Sequence, residues 1–198
     1  MIRFFIYVII KMVMYMTDIV IRKATIEDAY GIEFVGANSW YETHTDLMPK
    51  SYLEERIKTV EEKIPRAQKL LSNVDTYYVA THNNKVIGIL YFDKSQNEKY
   101  SNHGYLNSIY VLKEYHGLGL GKQLFIKCLE ELIDMGYNDM YLECLVGSPT
   151  ASFYEKYDGY VTDTIDFTIR DFSVKVNIYE FNDLQSILNK IKNTKKMI

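Results

Sequence analysis

Three glycines alternate with other residues near the middle of the chain, and a lysine follows the third. They are Gly117, Gly119 and Gly121, with Lys122 after them. Because glycine has no Cβ, the backbone N–H groups of such a stretch can converge on one point, and a helix that starts there adds the positive end of its dipole. A cation in the first helical turn opposes that dipole unless an anion lies between them. The stretch therefore predicts a binding loop for a phosphate or pyrophosphate.

The glycine stretch lies between a predicted strand and a predicted helix. Tyr105 to Val111 has the β-branched and aromatic residues typical of a strand. Apolar residues then recur at helical spacing, and the helix is expected to end near Gly136. These apolar residues are Leu124, Phe125, Cys128, Leu129, Leu132 and Ile133.

Two well-known phosphate loops do not fit this stretch. The dinucleotide fingerprint G-x-G-x-x-G needs a third glycine where Lys122 stands. The P-loop needs a glycine in place of His116 and a serine or threonine in place of Gln123. The remaining pattern is [RQ]-x-x-G-x-G with His116 in its first position, and a glycine-rich turn without a ligand is the alternative.

A second segment follows about thirty residues later. Met140 to Leu145 is predicted as a strand, and the next helix is expected to have Ser148 as its N-cap and Pro149 as its first residue. Ala151 and Tyr154 are three residues apart, so they share a face of that helix. An amphipathic core tyrosine is the alternative interpretation of Tyr154.

Together these two segments resemble the acetyl-CoA motifs of the GNAT superfamily of N-acetyltransferases. The second segment is similar to the family's element that contains Phe-Tyr-Glu-Lys, here Phe153 to Lys156. The resemblance covers roughly residues 17–181. It implies an α/β fold with one mixed, largely antiparallel sheet of six to seven strands and helices on both faces. It also implies that the two motif strands part in the middle of the sheet and that the pantetheine arm of the cofactor lies in the gap.

The resemblance implies acetyl-CoA as cosubstrate, no metal, and a set of cofactor-binding residues. The backbone N–H of Val111 would polarise the acetyl carbonyl, and Tyr154 would donate a proton to the departing thiolate. Two positions depart from the family pattern, with His116 in place of Arg or Gln and Ser148 in place of Asn. The full predicted set is Ile109, Tyr110, Val111, His116, Gly117, Leu118, Gly119, Leu120, Gly121, Lys122, Ser148, Ala151, Tyr154 and Lys156.

The general base is less well defined by the sequence. Many family members have a glutamate on the first motif strand, near the place where this chain has Tyr105. The general base would then be Glu143 on the neighbouring strand or a water relay held by backbone carbonyls. Strand residues alternate between faces, so a solvent-facing Glu143 is the alternative.

Trp40, Tyr41, Glu42 and Asp46 are the predicted acceptor-binding residues. Their segment is similar to one in bacterial members that include polyamine acetyltransferases. The two carboxylates would attract a cationic amine, and the two rings would offer π-faces to it. A small amine such as a polyamine is therefore the expected substrate. Peptide N-termini, lysine side chains, amino sugars and a non-catalytic acetyl-CoA sensor remain open, as does a solvated loop with core-facing aromatic residues.

Composition limits the partners. A chain of 198 residues with 47% hydrophobic content forms one core easily. The net charge of −3 and the lack of a concentrated basic surface argue against nucleic-acid binding. Cys128 and Cys144 occupy apolar-facing positions, which predicts buried free thiols in a reducing, cytoplasmic compartment. No His/Cys cluster has zinc spacing.

The two ends of the chain are set apart from the predicted domain at residues 16–181. Residues 1–15 are strongly apolar but shorter than the roughly 20 residues that a spanning helix needs, and no cleavage site for a signal peptide follows. An upstream start codon is the preferred explanation, with an added strand or interface as the alternative, and no membrane association is expected. Residues 182–198 are predicted as an amphipathic tail helix that packs on the domain or on another subunit, so the protein is a monomer or a homodimer.

The remaining elements complete the expected fold. They are a strand at Asp18 to Arg22, a helix capped by Thr25 that runs to Ser39, a helical segment from Tyr52 to Leu71 divided at Pro65, a hairpin of Thr76 to Thr81 and Val86 to Phe92, and a final hairpin of Thr162 to Arg170 and Ser173 to Phe181.

Overall fold

The computed structural model describes residues 18–193. The predicted N-terminal extension at residues 1–15 lies outside them, as do the last five residues of the tail. The strands are β1 Ile19–Lys23, β2 Tyr77–His82, β3 Lys85–Lys94, β4 Gly104–Val111, β5 Met140–Leu145, β6 Tyr160–Ile169 and β7 Phe172–Phe181. The α-helices are α1 Ala29–His44, α2 Lys50–Lys58, α3 Val60–Leu71, α4 Leu120–Asp134, α5 Ala151–Glu155 and α6 Leu184–Asn193.

All seven strands form one sheet in the order β1-β2-β3-β4-β5-β7-β6. Every neighbouring pair is antiparallel except β4 and β5, which are parallel. Asn83 and Asn84 join β2 to β3 with φ angles of 50° and 62°, as a tight hairpin turn requires. The mixed, largely antiparallel sheet and its hairpins are as the sequence predicts.

The parallel strands β4 and β5 separate halfway along their length. They pair from Gly104–Met140 to Leu106–Leu142 and no further. At the same point β4 has a bulge against β3, because Tyr91 pairs with Ser108 while the next residue, Phe92, pairs with Leu106. A bulge bends the strand that contains the extra residue, which here is β4. The expected gap between the two motif strands is therefore present.

Helices cover both faces of the sheet. On one face, α4 buries Leu124, Phe125, Cys128, Leu129 and Leu132 completely. The amphipathic tail helix α6 packs on α4 of the same chain through its buried apolar residues. On the other face, α1 packs against β2 and β3. Cys128 and Cys144 are buried free thiols, as predicted.

Several helix boundaries differ from the prediction. The segment at residues 52–71 divides at Thr59, while Pro65 lies inside α3. A proline removes one backbone hydrogen bond, here to the carbonyl of Glu61, which is an exposed residue. The helix after Thr25 starts as a 3₁₀ turn and continues to His44, and α5 begins at Ala151. Between residues 18 and 193, none of the helices combines the length and the apolar character needed to cross a membrane.

Candidate active site

A cavity of about 310 Å³ lies at the gap between β4 and β5. Both parted strands contribute to its wall, and α1, α2, the start of α5 and the final hairpin complete it. The lining residues are Tyr105 to Tyr110 of β4, Leu142 to Leu145 of β5, and Trp40, His44, Arg56, Thr150, Tyr154, Phe167, Ile169 and Val176.

The edge of β4 presents backbone groups to this gap. In an antiparallel ladder, residue pairs that exchange both backbone hydrogen bonds alternate with pairs that exchange none. The N–H of Leu112 donates to the carbonyl of Ile87 at 3.0 Å, so this pair is of the bonded kind. Val111 and Ile109, one and three residues earlier, therefore exchange no backbone hydrogen bonds with β3. Their N–H and C=O groups point away from β3, toward the side from which β5 has separated.

The carbonyl oxygen of Val111 accepts hydrogen bonds from two side chains. His116 Nε2 lies 2.9 Å from this oxygen, and the Ser39 hydroxyl donates to it at 3.4 Å. A carbonyl oxygen can only accept, so Nε2 carries the proton in this contact. The His116 side chain is thereby turned back to the end of β4.

The glycine loop forms the start of α4. Gly119 is the N-cap of this helix with φ of 76°, and Gly117 has φ of 78°. A Cβ at either position would meet no atom within 4 Å, so the left-handed backbone, and not crowding, requires glycine. Gly121 and Lys122 lie in the first turn, where N–H groups have no acceptor within the helix. None of these loop residues lines the cavity.

Tyr154 is buried in the cavity wall. Its side chain is 9% exposed, and its ring packs against Phe153, Tyr179 and Phe181. Burial raises the pKa of this phenol well above its usual value, so it keeps its proton at neutral pH. Within residues 18–193 the hydroxyl has no hydrogen-bond partner. The cavity therefore contains a protonated phenol that is available as a donor.

Thr150, which the sequence analysis did not single out, takes part in the cavity wall at the start of α5. Its hydroxyl lies 2.8 Å from the hydroxyl of Ser148, which also accepts from the Thr150 N–H at 3.3 Å. The N-cap of α5 is therefore Thr150 and not the predicted Ser148, whose hydroxyl contacts Thr150 just before the helix and does not line the cavity. The predicted residues Ala151 and Lys156 likewise do not line the cavity.

Glu143 projects from β5 into the cavity region and remains accessible to solvent, while its neighbours Leu142 and Cys144 are buried. Partial burial nevertheless raises the pKa of the Glu143 carboxyl. Tyr105 on β4 lines the same cavity, and burial followed by the charge of Glu143 raises the pKa of its phenol. A carboxylate thus lies near the position where the family places one on the other strand.

Three residues on the helical side form a compact group in the cavity. The indole of Trp40 donates to the Tyr110 hydroxyl at 2.7 Å, and the Arg56 guanidinium lies 4.6 Å above the centre of the indole ring. His44 packs edge-on against the same indole, with ring centres 5.2 Å apart. Burial, followed by the charge of Arg56, lowers the pKa of His44 to about 4, so this imidazole is neutral at pH 7.

Of the four predicted acceptor residues, only Trp40 lines the cavity. Tyr41 packs with Met48 and Leu53, Asp46 is exposed, and a carboxylate oxygen of Glu42 accepts from the Lys113 N–H at 3.3 Å. The sequence analysis did not identify His44 or Arg56 as site residues. A single arginine on a helix belongs to no motif, and its contacts with Trp40 and Tyr52 are visible only in the folded chain.

Comparison with known proteins identifies the family. The model of the acetyltransferase (GNAT) family matches residues 37–160, and the chain belongs to this family. It is 28% identical over 140 residues to YuaI of Bacillus subtilis (strain 168), an uncharacterised N-acetyltransferase, covering 70% of this chain and 79% of the relative.

Solved structures with the same fold include proteins with bound cofactor. PaiA N-acetyltransferase from Thermoplasma acidophilum, in complex with coenzyme A, aligns with a TM-score of 0.65 and 24% identity over 83% of this chain and 98% of that one. The yncA protein of Salmonella typhimurium, with its cofactor acetyl-CoA, aligns with a TM-score of 0.56 and 18% identity over 83% and 94%. At these identities the likeness concerns the fold.

Proposed function

We propose that this protein is an acetyl-CoA-dependent N-acetyltransferase that moves the acetyl group to a primary amine by direct attack. The observation that carries the proposal is the gap between β4 and β5, where unpaired strand-edge groups and the protonated phenol of Tyr154 border one cavity. Membership of the acetyltransferase (GNAT) family supports it. The buried free thiols are consistent with a cytoplasmic protein, which we take to be a monomer or a homodimer.

The residues present fit the proposed cosubstrate. Free N–H groups at the start of α4, with Gly117, Gly119 and Lys122, would hold the pyrophosphate. The N–H groups of Ile109 and Val111 would pair with the pantetheine arm as a further strand would. The remaining predicted contacts come from Tyr110, His116, Leu118, Leu120, Gly121, Ser148, Ala151 and Lys156.

Bound acetyl-CoA would supply a thioester whose acyl carbon can accept an amine nitrogen. The Val111 N–H would stabilise the negative charge that develops on the acyl oxygen as the C–N bond forms. Tyr154 would give its proton to the thiolate when the C–S bond breaks, since its raised pKa keeps that proton in place. Glu143, or water beside it, would take the proton lost by the amine.

A small amine is the acceptor class that we propose. The sequence pattern around Trp40 favours a polyamine, but Glu42 and Asp46, the residues expected to bind its positive charges, lie outside the cavity, so the site itself does not favour a polyamine over other small amines. Peptide N-termini and lysine side chains are the protein-acetylating alternative. A non-catalytic acetyl-CoA sensor would bind the same cofactor without turnover.

Calorimetric titration tests the cofactor site. We expect micromolar binding of acetyl-CoA and of desulfo-CoA by the full chain and none of NAD. Release of free thiol from acetyl-CoA in the presence of an amine panel then separates an enzyme from a sensor. A folded sample that binds no acetyl-CoA would exclude both.

A further inference from the structure

Building on the proposed function, we propose that the acceptor carries a carboxylate in addition to its amine and that Arg56 binds this carboxylate. Arg56 would bind the second substrate and would take no part in the transfer of the acetyl group itself.

The guanidinium of Arg56 lacks the partner that a half-buried arginine usually has. One Nη donates to the Tyr52 hydroxyl at 3.3 Å, and the plane of the group covers the Trp40 ring. The Nε atom is buried without a hydrogen-bond partner, and across residues 18–193 no carboxylate forms an ion pair with this side chain. A buried charge is normally paired, and an arginine fork matches a carboxylate with two parallel bonds. Tyr52 and Trp40 thus hold a planar donor group in the cavity, and some of its N–H groups remain available for hydrogen bonds.

The surroundings of Arg56 are positively charged. This residue lines a second cavity, of about 330 Å³, together with Glu33, Lys63 and Arg66. Three cations against one carboxylate leave an excess of two positive charges. Burial, followed by the charge of Arg56, lowers the pKa of Lys63, while burial raises the pKa of Glu33. A carboxylate bound at Arg56 gains attraction from these cations, whereas an ammonium group in the same place is repelled.

The same cavity also contains residues that would face the amine of the acceptor. Arg56 on α2 and Glu143 on β5 line the same 310 Å³ cavity, which has a size suited to a small molecule. An amino acid placed with its amine toward Tyr154 and Glu143 would direct its carboxylate to Arg56. His44 is 7% exposed, is neutral at pH 7, and has a buried Nδ1 without a hydrogen-bond partner in the described chain. This unsatisfied polar atom beside Arg56 is a second indication that a polar ligand group completes the site.

The test compares matched acids and amides. Initial rates of thiol release are measured with the twenty standard L-amino acids, β-alanine and 4-aminobutyrate, with the carboxamide of each, and with spermidine. We expect at least one acid to exceed its own carboxamide by ~30-fold or more in kcat/KM, because the amide keeps the amine and removes the charge. Carboxamides or spermidine that match or exceed every acid would overturn the proposal.

The variant Arg56→Gln tests the assigned residue. We expect it to lower kcat/KM for the preferred acid by ~100-fold, mainly through KM, and to bring the acid and its amide within about threefold of each other. The affinity for acetyl-CoA should stay unchanged. Arg56→Lys keeps the charge without the planar fork, so its kcat/KM for the acid should lie between the values of the wild type and Arg56→Gln. It also provides the test if Arg56→Gln fails to fold. Lys58→Gln, on an exposed position of the same helix, is the matched control.

Equal losses for the acid and the amide in Arg56→Gln would show a structural role only and would overturn the assignment. The proposed function fails in a different way. If acetyl-CoA binds but no amine of any charge is acetylated, the protein is not an acetyltransferase, and Arg56 has no acceptor to bind.

Discussion

The indole nitrogen of Trp40 donates a hydrogen bond of 2.7 Å to the hydroxyl oxygen of Tyr110. The bond joins α1, which lines the cavity, to β4, whose edge faces the gap. It also fixes the ring on which the Arg56 guanidinium lies. The position of the cationic group therefore depends on a contact between two residues that are seventy positions apart in the chain.

Replacing this indole should affect the acceptor and leave the cofactor site intact. In Trp40→Phe the Tyr110 hydroxyl loses its donor and the guanidinium loses part of its platform. We expect KM for the acceptor to rise by about tenfold, which corresponds to roughly 1.4 kcal/mol. Steady-state kinetics with calorimetry of acetyl-CoA measures both. Tyr41→Phe, outside the cavity, is the control, and an equal effect in both variants would contradict the prediction.

Removing the phenol hydroxyl should separate chemistry from binding. We expect Tyr154→Phe to lower kcat by ~10²–10⁴-fold, the range typical of a lost general acid, while the Kd of acetyl-CoA changes by less than about twofold. Tyr157→Phe is the matched control, since Tyr157 is another buried tyrosine of the same segment but stacks on Phe125 and does not line the cavity. Full activity in Tyr154→Phe would remove this residue from the reaction.

Glu143 should appear in the pH dependence of the reaction. Its pKa is raised by burial, so the carboxylate form that accepts a proton appears only as the pH rises through this higher value. We expect kcat/KM to increase with pH across that range in the wild type and Glu143→Gln to lose this rise. Asp93→Asn on β3, outside the cavity, should keep it. An unchanged profile in Glu143→Gln would favour the water relay.

The glycine at the N-cap of α4 can be tested against a glycine at the other end of the same helix. Gly119 and Gly136 both have left-handed backbone, with φ of 76° and 90°, and a Cβ at either position would meet no atom within 4 Å. Substitution by alanine should cost each about 1–2 kcal/mol of unfolding free energy. Only Gly119→Ala should also weaken acetyl-CoA binding, by roughly tenfold, because it shifts the N–H groups of the loop. Equal affinities in the two variants would argue against a cofactor role for this loop.

Asp28 should make folding stability depend on pH. Burial alone would raise the pKa of its carboxyl, but hydrogen bonds from Arg22 and from the Thr25 N–H outweigh this and lower it. The stabilisation is present above the unfolded pKa and is lost as the pH falls through the folded one. In urea unfolding at pH 7 we expect Asp28→Asn to cost ~1–3 kcal/mol, and the difference should shrink in acid. Asp75→Asn, an exposed ion-pair partner of Lys23, should cost under about 1 kcal/mol, and a similar cost in both would contradict the prediction.

Local patterns in the sequence were sufficient for the elements of the cofactor half. The alternation in β4 and β5, the helical spacing after Gly121 and the two asparagines of the hairpin depend on interactions between near neighbours, and the structure confirms each. The division of the helical segment was predicted at Pro65 and occurs at Thr59. Pro65 lies in the middle of α3, where it removes one backbone hydrogen bond to the carbonyl of Glu61. Glu61 is exposed to water, and the sequence alone does not show this exposure.

The sequence by itself determined the strand–loop–helix unit, the sheet class and the family, because each follows from residue types at fixed short separations. Only the tertiary structure decided which side chains meet in the cavity. Glu42 and Asp46 follow Trp40 closely in sequence but lie outside the cavity, whereas Arg56 reaches it from the next helix by packing on the indole. Residues two apart on a helix lie on different faces, so Glu42 does not share the face of Trp40. The charge of the acceptor site depends instead on the packing of α1 and α2 against the parted strands.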